Sequence, residues 1–218
     1  RRLLITIFIL ILPWLLLGLL SRPHVPSFQV FIVILLVFAL FLCLAFTPLM
    51  ADWLIYLIVC AFGWFIRKLP KPVALTIGSE TGNLLYFVLK KRRRIALENL
   101  RLAFGIEKSD EERKAICREN FRHLGKTAIE FFRFPLLTFD NIWKEVTVEG
   151  GENLTQAFVR GKGVIVFLPH FGNWELLALV YGALIPDRAK AIAFPLKNKY
   201  LNTLVSKYRE HLSLRLIT

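Results

Sequence analysis

Cysteine is scarce in this chain: Cys43, Cys60 and Cys117 are the only three in 218 residues, an odd number. Two lie in apolar segments, and no disulfide or metal-ligand spacing links them, so buried free thiols in a reducing compartment are expected. Methionine is scarcer still. Met50 is the only one and the chain opens at Arg1, which suggests a fragment or processed product, or translation starting at Met50. A Gly-rich phosphate loop with its lysine is missing, as is a G-x-S-x-G elbow, which argues against P-loop and α/β-hydrolase chemistry. No covalent nucleophile stands out, because Cys117 falls in the middle of an amphipathic helix pattern. There is no internal repeat or low-complexity segment. Acidic residues are few, 16 Asp+Glu against 29 Lys+Arg, and the net charge is +13. Charge is absent altogether from residues 3–20 and 28–46.

Those uncharged runs account for much of an apolar content of 56 %, too high for an ordinary soluble domain. As a helix, residues 3–20 extend about 27 Å, close to the hydrocarbon thickness of a bilayer. A polar, proline-marked break, Ser21–Ser27, leads into the second run, where Gln29 is the only strongly polar residue. The pattern predicts two transmembrane helices within residues 1–49. A signal peptide fits less well, since a second apolar run follows at once and no small-residue cleavage site is clear. Trp53 to Ile66 lies between Asp52 and Arg67-Lys68. It is short for a span and predicts an interfacial or membrane anchor helix over 50–68.

Positive charge begins where the apolar runs stop. Between Arg67 and Arg101 there are nine Lys/Arg against Glu80 and Glu98. A basic surface can meet nucleic acid or an anionic membrane, and the hydrophobic start favours membrane over nucleic acid. The tract Lys90-Lys91-Arg92-Arg93-Arg94 is expected to be cytoplasmic and lipid-facing, with a solvated helix face as the plainer alternative.

From residue 69 the texture is that of a folded domain. Ser109 and Glu112 stand in capping-box register, and Ile116, Phe121, Leu124, Ala128 and Phe131 recur at near-helical spacing, predicting a helix with one buried face that Pro135 ends. Val146–Val148 is expected as a short strand, Glu152–Val159 as a helix, Val164–Leu168 as a buried strand, Asn173 onward as a helix, Ala189–Phe194 as a further strand and Asn198–His211 as a helix. Strands alternating with helices predict an α/β sandwich with its site at the carboxyl ends of the strands.

His170 falls at such an end, directly after Val164–Pro169, and Glu175 follows five positions on. If His170 lies in a turn and Glu175 in the first helical turn, the carboxylate can reach back to the imidazole. That arrangement suits a base that takes a proton from a hydroxyl. Gly172 permits a tight turn or a close ligand approach, and the helix that follows offers its positive N-terminus to a developing anion. One His and one carboxylate make no closed zinc site, so no metal is expected.

The run Gly161–Glu175, GKGVIVFLPHFGNWE, resembles the bacterial lipid A biosynthesis acyltransferases, lauroyl- and myristoyl-transferases acting on Kdo-lipid A. The likeness extends through RRRIALENLRLAF at 92–104, EERKAI at 111–116, VEGGENL at 148–154 and PLKNKYL at 195–201, and so covers about Met50 to the end. It implies an acyltransferase-like α/β sandwich over 69–218, C-terminally truncated, on the cytoplasmic face of the bacterial inner membrane. The implied donor is an acyl-carrier-protein thioester, with no other cofactor. The implied acceptor is a hydroxyl of a lipid A precursor. His170 would be the base and Glu175 its orienter, with backbone amides near Gly172 and Asn173 facing the oxyanion. Lys197 and Asn198 would meet substrate, or else be a solvated lysine and a helix cap.

Three departures accompany the resemblance. The family often has Arg before the proline at the start of PLKNKYL, where this chain has Phe194. The family continues well beyond Thr218. Two membrane helices precede Met50 where one anchor is usual. A different glycolipid acceptor, such as a phosphatidylinositol mannoside with acyl-CoA as donor, and a non-catalytic membrane-anchored binding protein therefore stand as alternatives.

Overall fold

The computed structural model describes residues 27–217, and the first apolar run, 3–20, lies outside them. Contacts group the chain into two units, Arg1–Ile55 and Tyr56–Thr218. The described part of the first is the beginning of helix α1, Ser27–Lys68, which runs through both 28–46 and 53–66 without a break. Among the described residues, Leu49–Lys68 is the one segment long and apolar enough to cross a membrane, at about 30 Å of helix.

In the second unit the last turns of α1 are two-faced. Tyr56, Val59 and Cys60 are half-buried and Gly63 and Ile66 buried, at the spacing of one helical stripe, while Leu57, Ile58, Phe62, Trp64 and Phe65 are exposed. The end of α1 is tied down by cations. Arg133 Nη1 donates to the carbonyls of Ile66 at 3.0 Å and Leu69 at 2.8 Å, satisfying acceptors that a helix C-terminus leaves without partners. Arg67 Nη1 donates to Phe132 O at 3.2 Å and to the Tyr208 hydroxyl at 2.8 Å.

Helices α2 (Lys71–Val88) and α4 (Asp110–Arg133) meet along a seam of small residues. Ala74, Gly78, Ser79 and Gly82 are buried on α2, and a Cβ on Gly78 would stand 2.7 Å from Gly125 O. One on Gly125 would fall inside contact distance of Gly78 O. The backbones touch because there is nothing between them, as in small-xxx-small crossings. Helix α3 (Lys90–Phe104) follows α2 almost directly. Helix α4 starts at the capping box anticipated from sequence: Ser109 Oγ accepts from Glu112 N at 3.2 Å and Glu112 Oε2 from Ser109 N at 2.7 Å. Its fully buried residues are Cys117, Phe121 and Ile129, so of the expected stripe only Phe121 is fully buried. Ile116 and Phe131 are half-buried, and Leu124 and Ala128 are exposed, because the face turned to α2 is centred on Gly125. Burial pushes the Cys117 thiol up, so it is a poor nucleophile.

Beyond α4 come a 3-10 turn at Phe134–Leu136, a second at Ile142–Lys144, and α5 (Gly151–Val159). Helix α6 is Trp174–Leu184, β1 Lys190–Ile192, α7 Lys199–Arg209 and β2 Arg215–Ile217. Strands β1 and β2 pair in parallel, Ala191 opposite Leu216, with α7 as the crossover. The core of this half is Phe134, Ile142, Leu179, Val180, Ala183 and Leu212.

The α/β sandwich is thus present only in part. The described residues are mostly helical, with one two-stranded sheet. Val146–Val148 pairs with no strand among the described residues. Val164–Leu168 is irregular and not buried: Ile165 is 99 % and Phe167 91 % exposed. Val146–Val148 alternates as a strand does and Val164–Leu168 is a continuous apolar run, but a strand forms only where a second backbone supplies the ladder, and none of the described residues does.

Replacing Gly125 by Ala forces a Cβ into the α2 backbone and is expected to destabilise the domain by about 1–3 kcal/mol. Thermal unfolding checks this against Gly151→Ala, whose Cβ meets Val148 Cγ1 at an ordinary 3.6 Å and should leave Tm nearly unchanged.

Candidate active site

The residues between Pro169 and α6 form a compact turn. Phe171 N donates to Pro169 O at 2.8 Å, and Gly172 takes a φ of +58° with open space around its α-carbon, a conformation suited to glycine. Asn173 then caps α6, its Oδ1 accepting from Leu176 N at 3.0 Å, while its Nδ2 donates to Glu130 Oε2 at 2.7 Å. The cap is thereby fastened to α4. Neither the Gly172 nor the Asn173 amide has a protein acceptor among the described residues, and both sit where the positive end of α6 emerges.

His170 is exposed, its ring 5.2 Å from that of Trp174 and inclined at 50°. Glu175, one residue into α6, is held from the other side of the unit. Arg209, in the last turn of α7, donates from Nε to Glu175 Oε2 at 2.9 Å and from Nη2 to Oε1 at 2.5 Å. This is a fork-to-fork pair with side chains 27 % and 15 % exposed, a geometry that a guanidinium fits and an ammonium does not. The Glu175 hydrogen bonds raise the Arg209 pKa further, against an opposing effect of burial. No hydrogen bond joins His170 to Glu175 among the described residues.

His170, Glu175 and Arg209 line one cleft of about 410 Å³, whose other walls include Leu168, Trp174, Ile192, Phe194 and Leu196. Phe194 is 94 % exposed, an aromatic ring at the position of interest before Pro195. The cleft is therefore lined mostly by apolar side chains, with His170, Glu175 and Arg209 among them, a composition that suits an alkyl chain attached to a polar reacting centre. Lys197 is exposed and does not line it. Asn198 caps α7, its Oδ1 accepting from Tyr200 N and Leu201 N at 3.0 Å each. No cluster of three or more His, Cys, Asp or Glu able to hold a metal ion occurs among the described residues.

Arg209 went unnoticed in the sequence. It lies 34 positions from Glu175, in the ordinary basic last turn of an amphipathic helix, and no local pattern marks it. Glu130 was hidden in the same way on α4.

Residues 47–218 match the model of the family described as bacterial lipid A biosynthesis acyltransferase. Over 126 residues the chain is 36 % identical to the lipid A biosynthesis palmitoleoyltransferase of Escherichia coli (strain K12), covering 58 % of this chain and 41 % of that protein. The lipid A biosynthesis acyltransferase of Shigella flexneri matches with the same identity and coverage. The lipid A biosynthesis lauroyltransferase of Escherichia coli (strain K12) is 29 % identical over 119 residues, covering 55 % of this chain and 39 % of that one. The chain spans about two fifths of the length of the curated relatives it matches. No solved structure matches it.

Replacing Arg209 by Met keeps the length of the stem and strands the Glu175 carboxylate. The expected loss is about 1–3 kcal/mol, with Arg209→Lys restoring only part because it cannot reproduce the fork. Thermal unfolding of both variants checks it.

Proposed function

Since the chain belongs to the bacterial lipid A biosynthesis acyltransferase family, we propose that it transfers a fatty acyl group from an acyl-carrier-protein thioester to a hydroxyl of a lipid A precursor. It works at the cytoplasmic face of the inner membrane, held there by α1. The observation that carries this reading is an exposed His170 lining a mostly apolar cleft that Glu175 and Arg209 also line.

The chemistry follows from placing the acyl chain along Ile192, Phe194 and Leu196 and the thioester carbonyl near the turn at Gly172. The imidazole of His170 takes the proton of the acceptor hydroxyl, and the oxygen attacks the thioester carbon. The tetrahedral oxyanion faces the Gly172 and Asn173 amides, whose N–H groups are preset by the turn and the cap. Collapse breaks the C–S bond, and the thiolate leaves with the proton from His170. The products are an ester and a free carrier thiol. Glu175 contributes a fixed negative charge beside the imidazolium formed midway. Arg209 holds that carboxylate in place. No metal or redox partner enters the balance.

Phe194 favours a second reading of the acceptor. An exposed aromatic ring there offers no charge to a head-group phosphate, which leaves open a glycolipid acceptor other than a lipid A precursor, with acyl-CoA as a possible donor. A membrane-anchored binding protein that only holds such a lipid is separated from both by turnover.

His170→Ala is expected to lower acyl transfer by about 10²–10⁴-fold with the unfolding temperature unchanged. The measurement is product formation from acyl-carrier-protein thioester and purified precursor by the membrane-reconstituted protein. Unchanged turnover in the variant would remove His170 from the role of base.

A further inference from the structure

The corner where α2 passes into α3 has two surfaces that the acyl-transfer site does not use. The first is apolar. Val73, Leu84 and Val88 are exposed at 47, 61 and 61 %, and with half-buried Ile77 they lie along one line of α2 at about 100° per residue. That line faces away from the glycine seam that holds α2 to α4. A soluble surface helix points polar residues outward on such a face; this one points aliphatic residues, interrupted by Thr81 and by Glu80, whose carboxylate pairs with Arg122 of α4 at 3.3 Å.

The second surface is basic and directly adjoins the first. Arg93 Nη1 donates to Tyr86 O at 3.3 Å, and its guanidinium lies 5.1 Å from the centre of the Tyr86 ring, so the start of α3 is folded against the end of α2. From there a groove opens between α3 and the start of α4, lined by Lys90, Arg93, Arg94, Arg101, Arg113 and Lys114 with only Glu98 and Asp110 as acids. Both acids are already neutralised inside the chain. Glu98 pairs with Arg101 at 2.8 Å and Asp110 with Arg113 at 2.5 Å, and each carboxyl is held below its ordinary range, chiefly by its arginine's hydrogen bond. Lys90 and Arg94 have no partner among the described residues. The groove thus presents positive charge to an outside anion.

We propose that this corner is a second membrane contact, separate from α1. The Val73–Val88 line of α2 sinks into the interfacial layer of an anionic bilayer, and Lys90, Arg94 and the groove behind them engage lipid phosphates. Apolar residues beside unpaired cations are what an anionic lipid surface requires. An acidic protein would pair with the cations and leave Leu84 and Val88 without cover, so charge and apolarity together select the bilayer. Each cation near such a surface shifts the ratio of docked to free corner by about fivefold.

The test places an environment-sensitive NBD label at Val88→Cys in the full chain, with Cys43 and Cys60 replaced by Ala, reconstituted in nanodiscs. In phosphatidylcholine containing phosphatidylglycerol, emission should move to shorter wavelength and intensify relative to pure phosphatidylcholine. High salt should reverse the change, because surface charge is screened within a few ångströms. Lys90→Glu with Arg94→Glu should abolish the response to phosphatidylglycerol while circular dichroism stays that of the parent. A label at Glu152→Cys, on α5, should not respond. Val88 emission that is equally polar in both lipids overturns the proposal. So does emission that changes only when an acidic carrier protein is added, which would give the corner to a protein partner. None of these readings depends on acyl transfer, so the docking surface and the proposed activity fail separately.

Discussion

The fork between Arg209 and Glu175 is the contact on which the candidate site depends. It joins the first turn of α6 to the last turn of α7, and so fixes the β1–α7–β2 unit against the helix that follows His170. With the packing of Leu212 into the core that α6 supplies, it sets the cleft, since Ile192, Phe194 and Leu196 belong to that unit and His170 and Trp174 to the other side. A carboxylate held by a guanidinium at both oxygens is fixed in position, so Glu175 is part of the scaffold of the cleft that His170 also lines. Glu130 does similar work one step further back, through the Asn173 side chain that caps α6.

Two further constraints bring these pieces together. The glycines of α2 and α4 let their backbones touch, which leaves the rest of α4 to carry Glu130, Arg133 and the aromatic residues Phe131 and Phe132 towards the site half of the unit. Arg133 and Arg67 then bind the end of α1 to α4 and α7. The same short stretch of α4 therefore anchors the apolar helix on one side and the α6 cap on the other. Tyr208, next to Arg209, receives the Arg67 hydrogen bond, so α7 is gripped from α1 and from α6 by neighbouring residues.

What could be read from the sequence was whatever is written locally. The capping box at Ser109 and Glu112, the helices expected over Glu152–Val159, from Asn173 and over Asn198–His211, and the strand within Ala189–Phe194 depend on neighbours a few positions apart, and all appear, the last helix ending earlier at Arg209. His170 and Glu175 line one cleft, but the expected reach of the carboxylate to the imidazole is not seen among the described residues, because Arg209 takes both carboxylate oxygens. The buried stripe of α4 coincides with the expected one only at Phe121, because glycine carries no hydrophobic signal and the contact face is centred on Gly125. Val164–Leu168 has a strand's composition, but composition cannot supply a pairing partner. Arg209 and Glu130 are long-range partners, distant in sequence and ordinary in their local setting, and only the folded chain brings them to the site.

The central claim is that an acyl thioester lies in the cleft beside His170. A fatty acyl-carrier thioester with a diazirine on the alkyl chain tests it most directly, by irradiation in reconstituted membranes followed by peptide mass spectrometry. Label on the 190–197 segment and on Trp174, displaced by unmodified acyl thioester, is the result this account predicts. Label that avoids both regions, or that unmodified thioester does not displace, contradicts it.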